Sequence, residues 1–344
     1  VYRGDRILGR GYTRPVGGPH AEAVAIERAV RRHGARALRG ASLAVTLEPC
    51  VHVGRTSPCA ELVVQAGLRR VVVGHIDPHH LVAGRGVRRL RREGVEVQLG
   101  VLEAKCREQH RGFLSVCERG RPFVILKLAS SLDGRIATAS GESRWITGPA
   151  ARAAVHRLRE RVDAVVVGSG TALSDDPALT ARRDRRVVHA PIRVVVDSGL
   201  RVPPAAKLHR ARAGESWVLC APRAPAVRRR RLAAAGVRLI DVPRRGRHLD
   251  LRRALRTLAR EGLTEVLVEG GGKLAGALLR TRLVDEVRWF VAPRLLGGDA
   301  RPALGPLGLR VLERGPQLED IFLRRVGRDV ELVGRLGSGR RTQR

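Results

Sequence analysis

Three residues of this chain, His20, Cys50 and Cys59, each directly follow a proline, in the segments Pro19-His20-Ala21-Glu22, Glu48-Pro49-Cys50 and Gly54-Arg55-Thr56-Ser57-Pro58-Cys59. If they act together, the fold must bring three separate segments to one point, and no other feature restricts the chain as strongly. Proline is favoured in the first turn of a helix. The pattern therefore predicts helix entrances at all three, where the helix dipole and unpaired N–H groups favour thiolate over thiol. Successive helical residues turn by about 100°, so His20 and Glu22 would diverge by about 200° inside a helix. They converge only if His20 stands at the entrance, before the first turn.

One histidine and two cysteines supply three zinc ligands and leave a fourth position for water, the arrangement of a catalytic zinc site. Glu22 adds the non-ligand carboxylate that a zinc deaminase uses to move protons. Taken singly, a cysteine is more often a small core hydrophobe and a histidine a satisfied polar residue. The joint order beside three prolines carries the zinc reading. Eight residues separate Cys50 from Cys59, where many zinc deaminases have Cys-x-x-Cys. Cys106, Cys117 and Cys220 read as structural thiols, and an odd total of five cysteines argues against a secreted disulfide framework.

A length of 344 residues, 43% of them hydrophobic, suits two domains with real cores. No run of eighteen apolar residues and no charged-apolar-small leader occurs, so a soluble cytoplasmic protein is expected. The sequence contains no methionine and reads as one trimmed at its start. A net charge of +33 suggests a nucleic-acid partner. Against this, the charge is nearly all arginine spread over every predicted helix, and aromatics total 3%, without the interleaving of a single-strand reader. No nucleic-acid or membrane partner is expected, and homo-oligomer formation is left open.

The first segments alternate between helix and strand. A hairpin around Gly4-Asp5 is followed by a helix over 21–38, a strand over 42–47 that delivers Glu48-Pro49-Cys50, and a helix from Cys59. Further strands are predicted over 70–74 and 95–99, with helices over 86–93 and 102–117. The boundary is placed before Arg119-Gly120-Arg121-Pro122, giving domains 1–118 and 119–344. Beyond it, Val266-Leu267-Val268-Glu269-Gly270-Gly271-Gly272 runs a buried strand into three glycines and a helix, leaving backbone N–H groups open to an anion. It lacks the Gly-x-Gly-x-x-Gly spacing of a Rossmann unit. Strands are predicted over 284–293, 318–325 and 329–336, the last two as a hairpin.

His-Ala-Glu, Glu-Pro-Cys and the Gly-Arg-Thr loop closing on Pro-Cys resemble the bifunctional riboflavin-biosynthesis deaminase–reductase family. The second half matches it independently and in order. The matching segments are Lys127-Leu128-Ala129-Ser130-Ser131-Leu132-Asp133-Gly134, Ser143-Arg144-Trp145-Ile146-Thr147, Val165-Val166-Val167-Gly168 leading to Thr171, Asp175-Asp176-Pro177-Ala178-Leu179-Thr180-Ala181-Arg182, and Val194-Val195-Val196-Asp197-Ser198, with the glycine turn last. The helix and Thr-x-Pro-Asn-Pro-x-Val-Gly segment that open the family's first domain are not in this sequence.

The resemblance implies an α/β protein, with a cytidine-deaminase-like three-layer domain followed by a dihydrofolate-reductase-like domain. Its implied substrate is a small phosphorylated pyrimidine, deaminated with Zn²⁺ and then reduced at its ribosyl group with NADPH. By position in the motifs, Glu22 is the implied catalytic residue and His20, Cys50 and Cys59 the metal ligands. Ala129, Trp145, Thr171, Asp175, Ser198, Gly271, Gly272, Lys273, Leu274, Ala275, Gly276 and Ala277 are the implied cofactor contacts. Ser143, Arg159, Leu179, Arg182 and Glu269 are the implied substrate contacts. His52, Arg55 and Thr56 are candidate substrate contacts in the deaminase, and Lys127 and Asp175 are polar groups near the nicotinamide. Two readings compete: a nucleic-acid-directed zinc deaminase with a binding module, and a non-catalytic protein that uses zinc only for stability.

Overall fold

The computed structural model describes residues 1–337 except 16, 53–56, 185 and 211–213. Arg55, Thr56 and the polar tail from 338 lie outside the described residues. The chain forms two compact units, Val1–Arg119 and Gly120–Arg344.

In the first unit a hairpin, β1 (Tyr2–Arg3) and β2 (Arg6–Ile7), turns at Gly4, whose φ of 53° suits glycine. It is followed by α1 (Ala21–His33), β3 (Ser42–Leu47), α2 (Cys59–Gln65), β4 (Arg70–His75), α3 (Arg85–Arg92), β5 (Glu96–Leu99), α4 (Glu103–Gln109) and α5 (Arg111–Arg119). The sheet order is β2-β1-β3-β4-β5, with β3, β4 and β5 parallel. Ala25 and Ala29 of α1, Leu43 of β3, Ala60 and Val63 of α2, Val71 and Val73 of β4 and Leu90 of α3 fill one core between sheet and helices. The chain entering α1 runs tightly against it. A Cβ at Gly9 would lie 2.3 Å from the carbonyl oxygen of Ala25, and one at Gly11 2.2 Å from that of Ala21.

Two helices end earlier than their apolar spacing predicts. Gly34, at φ 77°, stops α1, and a 3₁₀ turn over Ala35–Leu38 follows. The segment expected as one helix over 102–117 is two, parted at His110.

The second unit contains β6 (Phe123–Ser131), β7 (Arg135–Ala137), α6 (Pro149–Arg159), β8 (Ala164–Gly168), α7 (Ser169–Asp175), β9 (Ala181–Arg183), β10 (Arg186–His189), β11 (Ile192–Val196), α8 (Lys207–Arg210), β12 (Ser216–Cys220), α9 (Ala226–Ala234) and β13 (Arg238–Asp241). After these come β14 (Arg244–Arg245), β15 (His248–Leu249), α10 (Leu251–Arg260), β16 (Glu265–Val268), α11 (Gly272–Arg280), β17 (Glu286–Ala292), β18 (Arg301–Pro302), β19 (Leu318–Val326) and β20 (Asp329–Leu336). The main sheet runs β13-β12-β11-β8-β16-β6-β17-β20-β19, parallel through β17 and antiparallel in the closing hairpin.

Both faces of this sheet are covered. Ile125, Val165, Val167 and Leu267 face one core cluster, and Val124, Leu126, Val166 and Val268 face the other. Two-sided burial accounts for the near-continuous apolar runs of these strands. The order also creates a cleft. The chain passes from β6 to β8 leaving one slot open, builds outward to β13, and returns to fill that slot with β16. The carboxyl ends of β6, β8, β11 and β16 therefore share one sheet edge, the usual ligand edge of an α/β sheet.

Candidate functional site

In the first unit, β3 carries the chain to Glu48-Pro49-Cys50 at the carboxyl end of the sheet. His20 is the extended N-cap of α1, and Cys59 opens α2 directly after Pro58. Cys50 departs from the helix-entrance expectation, because the described residues directly after it, Val51 and His52, are not helical. Its sulfur instead accepts the backbone N–H of Cys59 at 3.4 Å, so the first N–H of α2 stabilises the Cys50 sulfur.

His20 Nδ1 lies 3.5 Å from Cys50 Sγ and 3.3 Å from Cys59 Sγ. The three donor atoms fall within 4.8 Å of one another, the one such grouping of three or more metal-ligating side chains among the described residues. A tetrahedral zinc with Zn–S near 2.3 Å and Zn–N near 2.1 Å sets sulfur and nitrogen about 3.6 Å apart. The observed spacing and donor set fit zinc. A hydrogen bond from Cys59 draws the Cys50 thiol down to about 4 against the opposing effect of burial. The same hydrogen bond, together with burial, pushes Cys59 up. Glu22 is 8% exposed; burial raises its carboxyl above the usual range, and it interacts with the Cys59 thiol.

The sequence marks Glu48 only as part of the Glu-Pro-Cys motif, and the structure gives it a role. Its carboxylate is 3% exposed and accepts the backbone N–H groups of Asp77 (3.2 Å), Gly84 (2.9 Å) and Val87 (3.0 Å). A Cβ at Gly86 would lie 2.1 Å from the Pro49 carbonyl oxygen, so the loop entering α3 is locked onto the turn that presents Cys50. An acid closing an otherwise apolar strand was the available signal. Glu48→Ala keeps all three zinc donors but orphans three N–H groups. Zinc affinity measured by chelator competition is expected to fall about 10–100-fold, as for other supports of metal ligands; unchanged affinity would deny Glu48 this role.

In the second unit the shared strand edge forms a cleft of about 1860 Å³. Of the implied cofactor contacts, Ala129, Thr171, Asp175, Ser198, Gly271, Gly272, Lys273, Leu274 and Ala277 line it. Trp145, Ala275 and Gly276 do not. Trp145 is 61% exposed, with the Arg152 guanidinium over its ring, while Ala275 is in the core. A Cβ at Gly276 would lie 2.8 Å from the Gly305 carbonyl oxygen, so that glycine serves close packing.

Thr171 Oγ1 accepts the Gly271 N–H at 2.9 Å and fixes the glycine turn against α7. A Cβ at Gly271 would sit 3.2 Å from that oxygen. The first turn of α11 opens onto the cleft beside Lys273 and Arg280, and Arg144, Arg201 and Arg301 also line it. A glycine cradle, a helix N-terminus and surrounding cations fit a dinucleotide's phosphates.

Of the implied substrate contacts, Ser143 and Glu269 line the cleft and Arg159, Leu179 and Arg182 do not. Leu179 is in the core. The Arg159 fork, read from sequence as a phosphate clamp, is taken up by Glu269, with Nε–Oε1 at 2.6 Å and Nη2–Oε2 at 2.9 Å. Arg159 Nη1 donates to the Thr180 carbonyl at 2.9 Å, and Arg182 Nε donates to Thr180 Oγ1 at 3.1 Å. These residues form one network behind the cleft, reaching it through Glu269. Lys127 also lines the cleft; burial lowers its ammonium pKa, while the nearby Glu269 charge opposes the shift.

Two family models match the chain: the RibD C-terminal domain over residues 122–332, and the cytidine and deoxycytidylate deaminase zinc-binding region over residues 1–75. Riboflavin biosynthesis protein RibD of Escherichia coli is 40% identical over 347 residues, covering 97% of this chain and 92% of its own length. That of Bacillus amyloliquefaciens is 36% identical, covering 97% and 88%. Among solved structures, RibD of Acinetobacter baumannii superposes with a TM-score of 0.85 at 35% identity, covering 98% of this chain and 90% of its own. A diaminohydroxyphosphoribosylaminopyrimidine deaminase/5-amino-6-(5-phosphoribosylamino)uracil reductase of Thermotoga maritima gives 0.83 at 32% identity, covering 98% and 90%. The chain therefore belongs to the bifunctional riboflavin-biosynthesis deaminase–reductase family, which joins a zinc-dependent deaminase and an NADPH-dependent reductase in one polypeptide.

Proposed function

We propose that the unit Val1–Arg119 deaminates 2,5-diamino-6-(5-phosphoribosylamino)pyrimidin-4-one and that the unit Gly120–Arg344 reduces the ribosyl group of the product to its ribityl form. These are the activities by which the Thermotoga maritima relative is named. The observation that carries the deaminase reading is the imidazole nitrogen and two sulfurs at zinc-ligand spacing beside the buried carboxyl of Glu22.

His20, Cys50 and Cys59 would hold a zinc ion, which would supply the Lewis acidity that makes water a competent nucleophile at neutral pH. Glu22 takes one proton of the attacking water and gives it to the ring nitrogen, then takes the remaining proton of the added hydroxyl and gives it to the departing amine, which leaves as ammonia. Its burial raises its affinity for that proton while it is held. Glu48 keeps Cys50 aimed. His52, beside the ligand, is a candidate substrate contact.

When bound in the cleft of the second unit, NADPH would supply the hydride. Thr171 fixes the glycine turn, Gly271 and Gly272 leave room for phosphate, and Lys273 with the cleft arginines balances its charge. Ala129, Asp175, Ser198, Leu274 and Ala277 line the remaining cofactor wall, and Ser143, Lys127 and Glu269 face the substrate side. Arg159 and Arg182 act through Glu269 and Thr180. No described helix is long and apolar enough to cross a membrane, and all five cysteines are free, as suits the reducing cytoplasm.

Gly271→Val tests the cleft assignment. The new side chain crowds Thr171 Oγ1 and fills the cradle, so KM for NADPH should rise by about tenfold or more, a loss of at least about 1.4 kcal/mol of binding. Ammonia release should be unchanged. An unaltered KM would remove the phosphate cradle from this turn.

A further inference from the structure

With the cleft of the second unit read as a nicotinamide-dinucleotide site, the sheet order fixes where the two ends of the dinucleotide go. The strands run β11-β8-β16-β6 across the cleft. Lys127 of β6 and Glu269, just past β16, mark the side where hydride is delivered. The phosphate cradle of Gly271, Gly272 and Thr171 stands between β16 and β8. The adenosine half is therefore directed the other way, over β8 to the end of β11, where Val196, Ser198 and Arg201 line the same cleft. Val196 pairs with Gly168, so the two strand ends are level. Neighbouring strands lie about 4.8 Å apart, which sets the end of β11 about 10 Å from that of β16.

The turn after β11 hides an anion and presents a cation. The Asp197 side chain is fully buried, and its Oδ2 accepts the backbone N–H groups of Arg201 and Val202, the second at 2.9 Å. Leu200, at φ 53°, packs into the core and pins the turn. Arg201 Nη2 donates to Ser169 Oγ at 2.5 Å, and Arg201 Nε lies 3.5 Å from Asp197 Oδ1. Its Nη1 has no hydrogen-bond partner among the described residues, and the side chain is 58% exposed. The guanidinium is thus held along one edge and open along the other. A second cation stands at the same turn, where Arg228 Nη1 donates to the Gly199 carbonyl at 2.9 Å. In dinucleotide sites of α/β sheets a carboxylate reads a ribose 2′-hydroxyl, whereas an arginine accommodates a 2′-phosphate. Here the carboxylate of the turn is occupied by backbone N–H groups and withdrawn from the cleft, and the arginine is the charge that remains.

We infer that Arg201 is the residue by which this chain tells NADPH from NADH. Its open edge, with the Ser198 hydroxyl at the same strand end, takes the 2′-phosphate of the adenosine ribose. Isothermal titration of the full chain with adenosine 2′,5′-bisphosphate, which carries the 2′-phosphate and no nicotinamide, reads this subsite without turnover. Arg201→Gln should weaken that ligand and NADPH each by about 10–100-fold, as for loss of a charge-assisted hydrogen bond, and leave NADH affinity within about twofold. Arg201→Lys keeps the charge but not the fork and should fall between. In turnover the preference for NADPH over NADH in kcat/KM should shrink by the same factor, through KM, with kcat for NADPH unchanged. Equal weakening of NADPH and NADH would make Arg201 a support of the strand end and overturn the assignment, as would undiminished NADPH affinity in both variants. Gly271→Val separates this assignment from the reading of the cleft, because it should weaken NADPH and NADH alike. If Gly271→Val acts and Arg201→Gln does not, the cradle stands and only the 2′-phosphate reader falls; if Gly271→Val leaves both affinities unchanged, the dinucleotide site itself is refuted, and Arg201 with it.

Discussion

Glu22→Gln is expected to lower ammonia release by about 10²–10⁴-fold, the usual contribution of a positioned acid–base group, while zinc stays bound at its normal stoichiometry. Glu22 lies in the first turn of α1, two residues past the ligand His20, yet it is not part of the donor set. The amide preserves its size and its place against Cys59 but cannot accept and return a proton. NADPH oxidation on substrate that is already deaminated should be unchanged, because the reductase contacts belong to the other unit. Loss of zinc would assign Glu22 a structural duty, and joint loss of both activities would contradict separate sites.

Glu269→Ala should act on stability as well as chemistry. Burial works against both charges of the Arg159–Glu269 pair, yet each partner holds the other ionised: Arg159 is kept above its ordinary value and Glu269 below. Their side chains are only 15% and 8% exposed. Removing one partner strands a buried guanidinium, at a cost of about 3–5 kcal/mol. For a unit of this size that lowers the melting temperature by roughly 10 °C, read by calorimetry. Replacing both, as Arg159→Met with Glu269→Leu, should recover most of the stability, since well-packed apolar residues often substitute for a buried pair. Reduction should remain impaired in the double variant because Glu269 faces the cleft. Full recovery of reduction together with stability would show that the pair serves packing alone.

The sequence revealed what depends on local pattern. The apolar runs of β3, β6, β8 and β16, the turn at Gly4 and the closing hairpin all follow from spacing and turn chemistry within a few residues. The zinc donors were legible because proline sits beside each of them. The misplaced helix ends have a local cause that periodicity ignores: Gly34 adopts φ 77° and stops α1, although apolar residues continue to Leu38. Cys50 shows the limit of reading proline alone, since Pro49 ends a strand and the stabilising N–H comes from Cys59, nine positions on.

Long-range pairings left no such trace. Arg159 and Glu269 meet across 110 positions, and among so many arginines nothing local marked the one whose fork was already filled. The same holds for Glu48, whose three partners lie 29 to 39 residues away. Return of β16 to the slot between β8 and β6 is likewise a property of the whole sheet.

X-ray absorption at the zinc edge of the purified protein tests the central claim most directly. The account predicts one zinc per chain with two sulfurs near 2.3 Å, one imidazole nitrogen near 2.1 Å and a single exchangeable light ligand. Four protein donors on the metal, or a shell lacking the two sulfurs, would contradict it.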